Sequence, residues 1–275
     1  MPLWLSESDV RAVLTMGELI EAMETALIAF SAGRVVQPVR TVLGIRERAF
    51  FGLMPALDSD GSMLGTKLVT VLPENTAKGL PSHQAAIVLF DPASGALLAV
   101  TDGRYITEAR TAAVSAVSAR LQQFVAGRNV RACESAESAI RDADVVVLAT
   151  SSITPVIDDA WVAPGTHVIA VGACRPTHRE TDPRLVARAL VVVDSRAAAM
   201  QEAGDILLAI EDGLIDAGHV HAELGEVASG AKSGRQHAGQ VTLFKSLGLA
   251  IEDVVSADLA YRRSLAAGCG MLVPQ

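Results

Sequence analysis

The spacing of apolar residues changes several times along the chain. After Thr15, the residues Leu19, Met23, Leu27 and Phe30 recur at helical intervals, and Gly33 offers a stop. Thr15 and Glu18 have the spacing of a capping box, so the first helix is predicted to begin at Thr15. From Val39 to Val100 the texture is different. The short runs TVLGI, FFGLMPAL, GTKLVTVL, QAAIVLF and ALLAVTDG are separated by turn clusters such as DSDG at 58–61 and DPASG at 91–95. Such runs predict an antiparallel sheet from roughly Pro38 to Val100. An Ala- and Ser-rich helix is expected from Thr107 to about Gln123. Then helix-like ESAESAIRDA leads to the strands DVVVLAT, THVIAVGA and ALVVVDS. Strands this apolar are buried on both faces, which predicts a parallel α/β sheet after Val130. Thr242 to Ala267 reads as helical again.

The expected fold class is therefore α/β with an α+β N-terminal domain. Residues 1–121 would form an antiparallel-sheet domain to which a helix at 242–267 returns, and residues 122–241 a parallel-sheet domain.

Composition narrows the function classes. Half of the 275 residues are hydrophobic, which argues against disorder. The net charge of −8 disfavours broad attraction to nucleic acid or an anionic membrane. Three scattered cysteines with no CxxC pair argue against a disulfide framework. The start MPLWLSESDV lacks a basic region followed by an apolar run, and no apolar run approaches the length of a membrane helix, so a cytoplasmic protein is expected. No Walker loop or nucleophile elbow is present. His219 and His221 near Glu223 lack a third well-spaced ligand, so no metal is expected there.

Longer motifs are more specific. GTKLVT, LPSHQAAIVLFDPASGALLAVTDG, ITEARTAAVSA, ADVVVLATSSITPVI, APGTHVIAVGACRPTHRE, VVVDSRAAAMQEAGD, ELGEV and TLFKSLGLAIEDVVSADLAY together span nearly the whole chain. They resemble the ornithine cyclodeaminase/mu-crystallin family, and VVQPVRT and PSHQA bring the chain nearer to its mu-crystallin, ketimine reductase-like branch. The resemblance implies an NAD(P)H-dependent oxidoreductase with a Rossmann domain, a small imino or amino acid carboxylate as substrate, and a homodimer formed through the N-terminal sheet.

One part of the family pattern is missing. The RTAAVSA helix runs through Ala119-Arg120-Leu121 straight into QQFVAGRNVRAC, where a first strand, a Gly-x-Gly turn, a helix and a second strand should intervene. That segment of roughly fifty residues would cradle the cofactor pyrophosphate on a helix N-terminus and read the adenosine ribose. Gly268-Cys269-Gly270 has no helix after it and cannot substitute. A natural deletion, a gene-model error and an omitted segment all leave this same junction. The parallel domain is accordingly read as truncated, with NADP or NAD as the family's cofactor but impaired binding.

The resemblance assigns roles residue by residue. Arg40 in QPVRT matches the arginine that holds the substrate carboxylate, a task suited to bidentate pairing. Its bland alternative is a surface arginine at a strand start. Lys67 matches the catalytic lysine beside the imine; otherwise it is a lysine snorkelling at a sheet edge. Ser82, His83, Arg110 and Thr111 match cofactor-contacting positions, with Arg110 and Thr111 placed in the first turns of their helix as an anion site. A lone His83 is equally a hydrogen-bonded structural residue. Thr150 and Ser151, and Val171 and Gly172, follow strand ends, where open α/β sheets bind ligands, although ordinary loop polarity explains them too. Ser246 matches a residue near the nicotinamide and Glu202 a ligand-pocket acid; both could equally cap helices. Cys174, in Gly172-Ala173-Cys174-Arg175-Pro176, stands where cyclodeaminases carry an aspartate. A neutral thiol is a poor base for ring closure with ammonia loss, so reduction is expected instead. The first reading is thus reduction of a cyclic ketimine or imine carboxylate. Its rivals are a non-catalytic small-carboxylate binding protein and an inactive truncated product.

Overall fold

Two short elements come before the helix that Thr15 announces. In a computed structural model that describes residues 1–47, 49–121 and 133–274, the chain opens with β1 (Leu3–Leu5) and α1 (Glu7–Val13). Ser6 and Asp9 close a capping box at α1, with the Asp9 carboxylate accepting from the Ser6 N–H at 2.9 Å. Then α2 (Met16–Ser31) begins where its spacing predicts, the Thr15 hydroxyl accepting from the Glu18 N–H.

The chain forms two compact units, residues 1–114 with 249–275, and residues 115–248. In the first unit, β2 (Val35–Val36) precedes the stretch of short β-rich runs, which becomes β3 (Thr41–Arg46), β4 (Ala49–Asp58), β5 (Leu64–Val71), β6 (His83–Phe90) and β7 (Leu97–Asp102). These strands run in the order β1-β7-β6-β5-β4-β2, with β3 also paired to β4. All pairings are antiparallel except β1 with β7. Because side chains alternate along a strand, Gly65, Lys67 and Val69 of β5 are all buried. Helix α3 (Arg104–Leu121) starts three residues before the expected Thr107, its first N–H donating to Asp102 Oδ1 at 3.0 Å. The Leu121–Gln122 junction continues into residues 122–132, which lie outside the described residues.

The second unit contains α4 (Ala136–Ile140), β8 (Val145–Leu148), β9 (His167–Ala170), α5 (Pro183–Arg188), β10 (Leu190–Val193), α6 (Arg196–Glu202), α7 (Gly204–Glu211), β11 (Val220–Glu223), α8 (Leu224–Ala228) and β12 (Thr242–Lys245). Its five strands are parallel throughout, in the order β11-β10-β12-β9-β8. Thr242–Lys245 corrects the reading of a helix from Thr242: these residues are a strand between β10 and β9. All four are buried, and in a strand covered on both faces apolar alternation disappears. Val168, Ala170, Val191, Val193 and Leu243 supply the core of this unit. The buried His167 ring joins Ser118 Oγ at 2.9 Å to Thr242 Oγ1 at 2.7 Å. Among the described residues β8 is an edge strand, and its Val147 is 54% exposed.

The chain then returns to the first unit as α9 (Ala250–Ala267), followed by β13 (Met271–Leu272), which adds to β1. Helix α9 packs on β4, β5 and β6. Gly65 permits this close approach, since a Cβ there would lie 2.8 Å from the Val88 carbonyl oxygen and 3.2 Å from Val254 Cγ2. The first turn of α9 is not capped by its own N-cap residue; Gln37 Oε1 accepts the Ile251 N–H at 2.9 Å. Among the described residues, no helix is long and apolar enough to cross a membrane.

Candidate functional site

The inward register of β5 places a lysine where the core expects an apolar side chain. Lys67 is 2% exposed, and burying an ammonium is tolerated only with a partner. That partner is Asp253 in the first turn of α9, whose Oδ2 lies 2.6 Å from Lys67 Nζ. The same carboxylate accepts from Arg110 Nε of α3 at 3.1 Å through Oδ1. Arg110 also donates through Nη1 to Glu252 Oε2 at 2.7 Å. The two carboxylates sit in the first turn of α9, where the helix dipole favours negative charge.

The electrostatics single out Lys67. Burial, and then the cations of Arg110 and Arg40, pull its proton affinity down to about 8, while Asp253 opposes the fall. Burial would raise the Asp253 carboxyl, but Arg110 and Lys67 hold it below its ordinary value. His83, at the start of β6, is lowered by burial, with the Lys67 and Arg110 cations adding to the effect. Arg40 is half-buried in the loop ahead of β3. Thus Arg40, Lys67, His83 and Arg110 gather in one electrostatic neighbourhood. Ser82 adjoins His83, and its carbonyl accepts the Leu72 N–H.

The structure corrects several details. Lys67 is a core residue with a buried partner, not one snorkelling at a sheet edge. His83 is half-buried at the start of β6. Arg110 and Thr111 are not in the first turn of their helix, because α3 begins at Arg104; their backbone N–H groups belong to the helix ladder. The Thr111 hydroxyl donates to the Thr107 carbonyl at 2.7 Å.

In the second unit, the predicted residues cluster at the carboxyl ends of parallel strands, and buried carboxylates that sequence reasoning missed organise those ends. Glu180 accepts from the N–H groups of Thr150 (2.6 Å), Gly172 (2.8 Å) and Ala173 (2.9 Å). Asp205 accepts through Oδ1 from the N–H groups of Glu180 and Thr181 and from the Thr181 hydroxyl, and its Oδ2 lies 3.0 Å from Lys245 Nζ. Asp194 accepts from Ser246 Oγ and from the N–H groups of Leu247 and Gly248. The backbone N–H groups of Thr150 and Gly172, two residues expected at a ligand, are therefore engaged internally. Gly172 serves strand packing, since a Cβ there would meet the Thr150 carbonyl oxygen at 2.1 Å. Ser151 is exposed and Val171 half-buried. Neither Ser246 nor Glu202 caps a helix: Ser246 serves Asp194, and Glu202 closes α6 at its C-terminal end. The Cys174 thiol faces the Val171 carbonyl at 3.7 Å. The imidazoles of His219 and His221 hydrogen-bond to the carbonyls of Val186 and Ser233. The described residues contain no cluster of three metal-ligating side chains.

An antiparallel-rich sheet carrying a buried charge network, together with a separate parallel sheet, defines a mixed α/β protein of two units. The chain belongs to the ornithine cyclodeaminase/mu-crystallin family, whose model matches residues 2–123 and 119–268. It is 40% identical over 312 aligned positions to the ketimine reductase mu-crystallin of Mus musculus, covering 94% of this chain and 96% of that protein. The Δ(1)-pyrroline-2-carboxylate reductase of Thermococcus litoralis, solved with NADH and L-proline, superposes with a TM-score of 0.94 at 34% identity over 98% of this chain and 100% of that one. An archaeal alanine dehydrogenase dimer with bound NAD gives a TM-score of 0.93 at 30% identity over 99% of each chain.

Proposed function

We propose that this chain is an NAD(P)H-dependent reductase of a small cyclic imine carboxylate. The observation that carries the reading is Lys67: a buried ammonium, beside Asp253 and within reach of two arginine charges, with a proton affinity brought near neutrality. A general acid works best with its proton affinity close to the working pH. Arg40 holds the substrate carboxylate, and Lys67 Nζ delivers a proton to the imine nitrogen. Arg110 keeps the surroundings cationic, while burial and the neighbouring cations disfavour the charged form of His83. The family resemblance makes Glu202 and Cys174 of the second unit ligand-pocket residues in this reading. A nicotinamide cofactor, when bound, supplies the hydride that the imine carbon accepts. The relatives that reduce imines and bind NAD or NADH support this assignment.

Ser82, Ser151, the Thr150 side chain and Val171 suit the nicotinamide end of a dinucleotide, being accessible at strand ends or beside the cation cluster. No glycine-rich turn ahead of a helix is found among the described residues for the pyrophosphate end. We read the missing segment as a gap at the Leu121–Gln122 junction. The family model matches in two stretches that meet at 119–123, which supports it. The alignment with the mouse relative adds to this: 94% of 275 residues is about 259, leaving about 53 of the 312 positions without a counterpart, the size of a first βαβ segment. Weakened cofactor binding follows, since each lost charge-assisted hydrogen bond is worth about 1.5–3 kcal/mol.

Two measurements test these readings. Calorimetry should give NADH and NADPH affinities weaker than micromolar; tight binding overturns the gap reading. A chain with a glycine-rich βαβ segment restored at the junction should reduce Δ(1)-pyrroline-2-carboxylate and release no ammonia from ornithine, because Cys174 offers no carboxylate there. Arg40→Ala should abolish that reduction. Turnover of ornithine, or reduction indifferent to Arg40, overturns the reaction assigned. Association as a homodimer through the first unit's sheet is part of the same proposal. The exposed Val42, Leu43 and Ile45 of β3 and the dimeric archaeal relative support it. Sedimentation as a monomer at micromolar concentration overturns it.

A further inference from the structure

We propose that Asp253 is the positioning residue of this site: its two oxygens hold the Lys67 ammonium and the Arg110 guanidinium together, fixing the group that delivers the proton. The proposal rests on the reading of Lys67 as proton donor. Its geometry is specific. Asp253 Oδ2 stands 2.6 Å from Lys67 Nζ and Oδ1 accepts from Arg110 Nε at 3.1 Å, so one buried carboxylate serves two cations from different elements. Glu252 Oε2 accepts from Nη1 of the same arginine at 2.7 Å. The charged and titratable groups bearing on Lys67 are Asp253 from α9, Arg110 from α3, Arg40 from the loop before β3 and His83 from β6. Three of the four are cationic or can become so. Without Asp253, Lys67 would keep burial and the arginine charges against it and lose the carboxylate that faces it, so its midpoint would fall. In turnover that proton goes to the imine nitrogen while hydride goes to the imine carbon. With a bound nicotinamide as hydride donor, the C=N double bond would become a C–N single bond, and the neutral lysine would regain a proton from water.

The test uses the full chain and needs no turnover. The sequence has four lysines, Lys67, Lys78, Lys232 and Lys245, so lysine Cε resonances titrate individually. In Asp253→Asn the Lys67 midpoint should fall by about 1–3 pH units, while Lys245, paired with Asp205, stays in place. In Glu252→Gln it should stay near that of the parent. An unchanged midpoint in Asp253→Asn, or an equal fall in Glu252→Gln, overturns the proposal. Should Asp253→Asn fail to fold, the unsubstituted chain decides. The Asp253 carboxyl carbon, assigned by its loss in Asp253→Glu, should follow the same midpoint as Lys67, and a signal flat through that range overturns the proposal. If these titrations hold while Lys67→Met in the restored chain still reduces the imine at the parental rate, the proton-donor reading fails and the pairing stands.

Discussion

Two lysines in this molecule invite the same description and behave in opposite ways. Lys67 of β5 and Lys245 of β12 each sit in an otherwise apolar strand, are buried, and meet one aspartate, at 2.6 and 3.0 Å. Yet Lys67 is lowered to about 8 while Lys245 is held above its ordinary value. Burial works against the charge of both. The rest of the neighbourhood differs. Around Lys245, acceptors beyond Asp205 include the Glu180 carboxylate and the Ala173 carbonyl at 2.5 Å. Around Lys67 stand arginines, and Asp253 must be shared with one of them. The pair alone does not decide whether a buried lysine is structural or chemical; the charges one step further out do.

Replacing each lysine by methionine should separate the two roles. Lys67→Met in the chain with a restored cofactor segment should lower imine reduction by about 10²–10⁴-fold, the span of a lost general acid. Its stability cost should be the smaller one, because Asp253 keeps Arg110. Lys245→Met removes the cation from the buried Asp205 Oδ2. Breaking a buried pair in this way costs about 3–5 kcal/mol, readable by urea unfolding. Equal stability losses would erase the distinction.

The comparison also shows what local sequence can reveal. Strands β3–β7 were legible because turn clusters punctuate short β-rich runs, and the start of α2 was legible from Thr15 and Glu18. The strand at Thr242–Lys245 was not: four residues buried on both faces carry no period, and the helical pattern of AIEDVV follows closely. Lys67 stood out as a charge in an apolar strand, and family resemblance gave it a role. Asp253 did not, because its partner Arg110 lies 143 residues away and nothing in IEDVV says which face meets a sheet. The available signal was two adjacent carboxylates in the first turn of a helix. Glu180, Asp194 and Asp205 were missed for a similar reason: they answer backbone N–H groups, whose positions exist only once the strands are assembled.

Gly65 links the packing to the Lys67 side of the comparison. A methyl group there would meet the Val88 carbonyl oxygen at 2.8 Å and Leu89 Cδ2 at 3.0 Å, and α9 through Val254 Cγ2 at 3.2 Å. Gly65→Ala should cost about 1–3 kcal/mol, as overpacking does. If α9 yields, Asp253 recedes from Lys67 and the lysine midpoint falls, with Lys245 unaffected. A lost stability increment with an unmoved Lys67 would mean that the strain is absorbed elsewhere and that this glycine does not set the ion-pair distance.

The smallest effect is the one whose sign depends on the comparison itself. Lys67 has a lowered folded-state affinity, so between about 8 and its ordinary 10.5 the unfolded chain binds the extra proton. Folding stability contributed by this group therefore rises with pH across that window, and its burial cost is fully present only below pH 8. Lys245 is raised, so its contribution is complete below 10.5 and is lost as pH climbs through the higher folded-state value. Each slope is at most about 1.4 kcal/mol per pH unit for one proton. Unfolding free energies of the parent chain, Lys67→Met and Lys245→Met, measured from pH 7 to 11, should give two difference curves. The parent-minus-Lys67→Met curve should climb from about pH 8, and the parent-minus-Lys245→Met curve should stay flat and then drop above 10.5. Two curves falling together would show that Lys67 is held as firmly charged as Lys245, and that its arginine neighbours do not distinguish it.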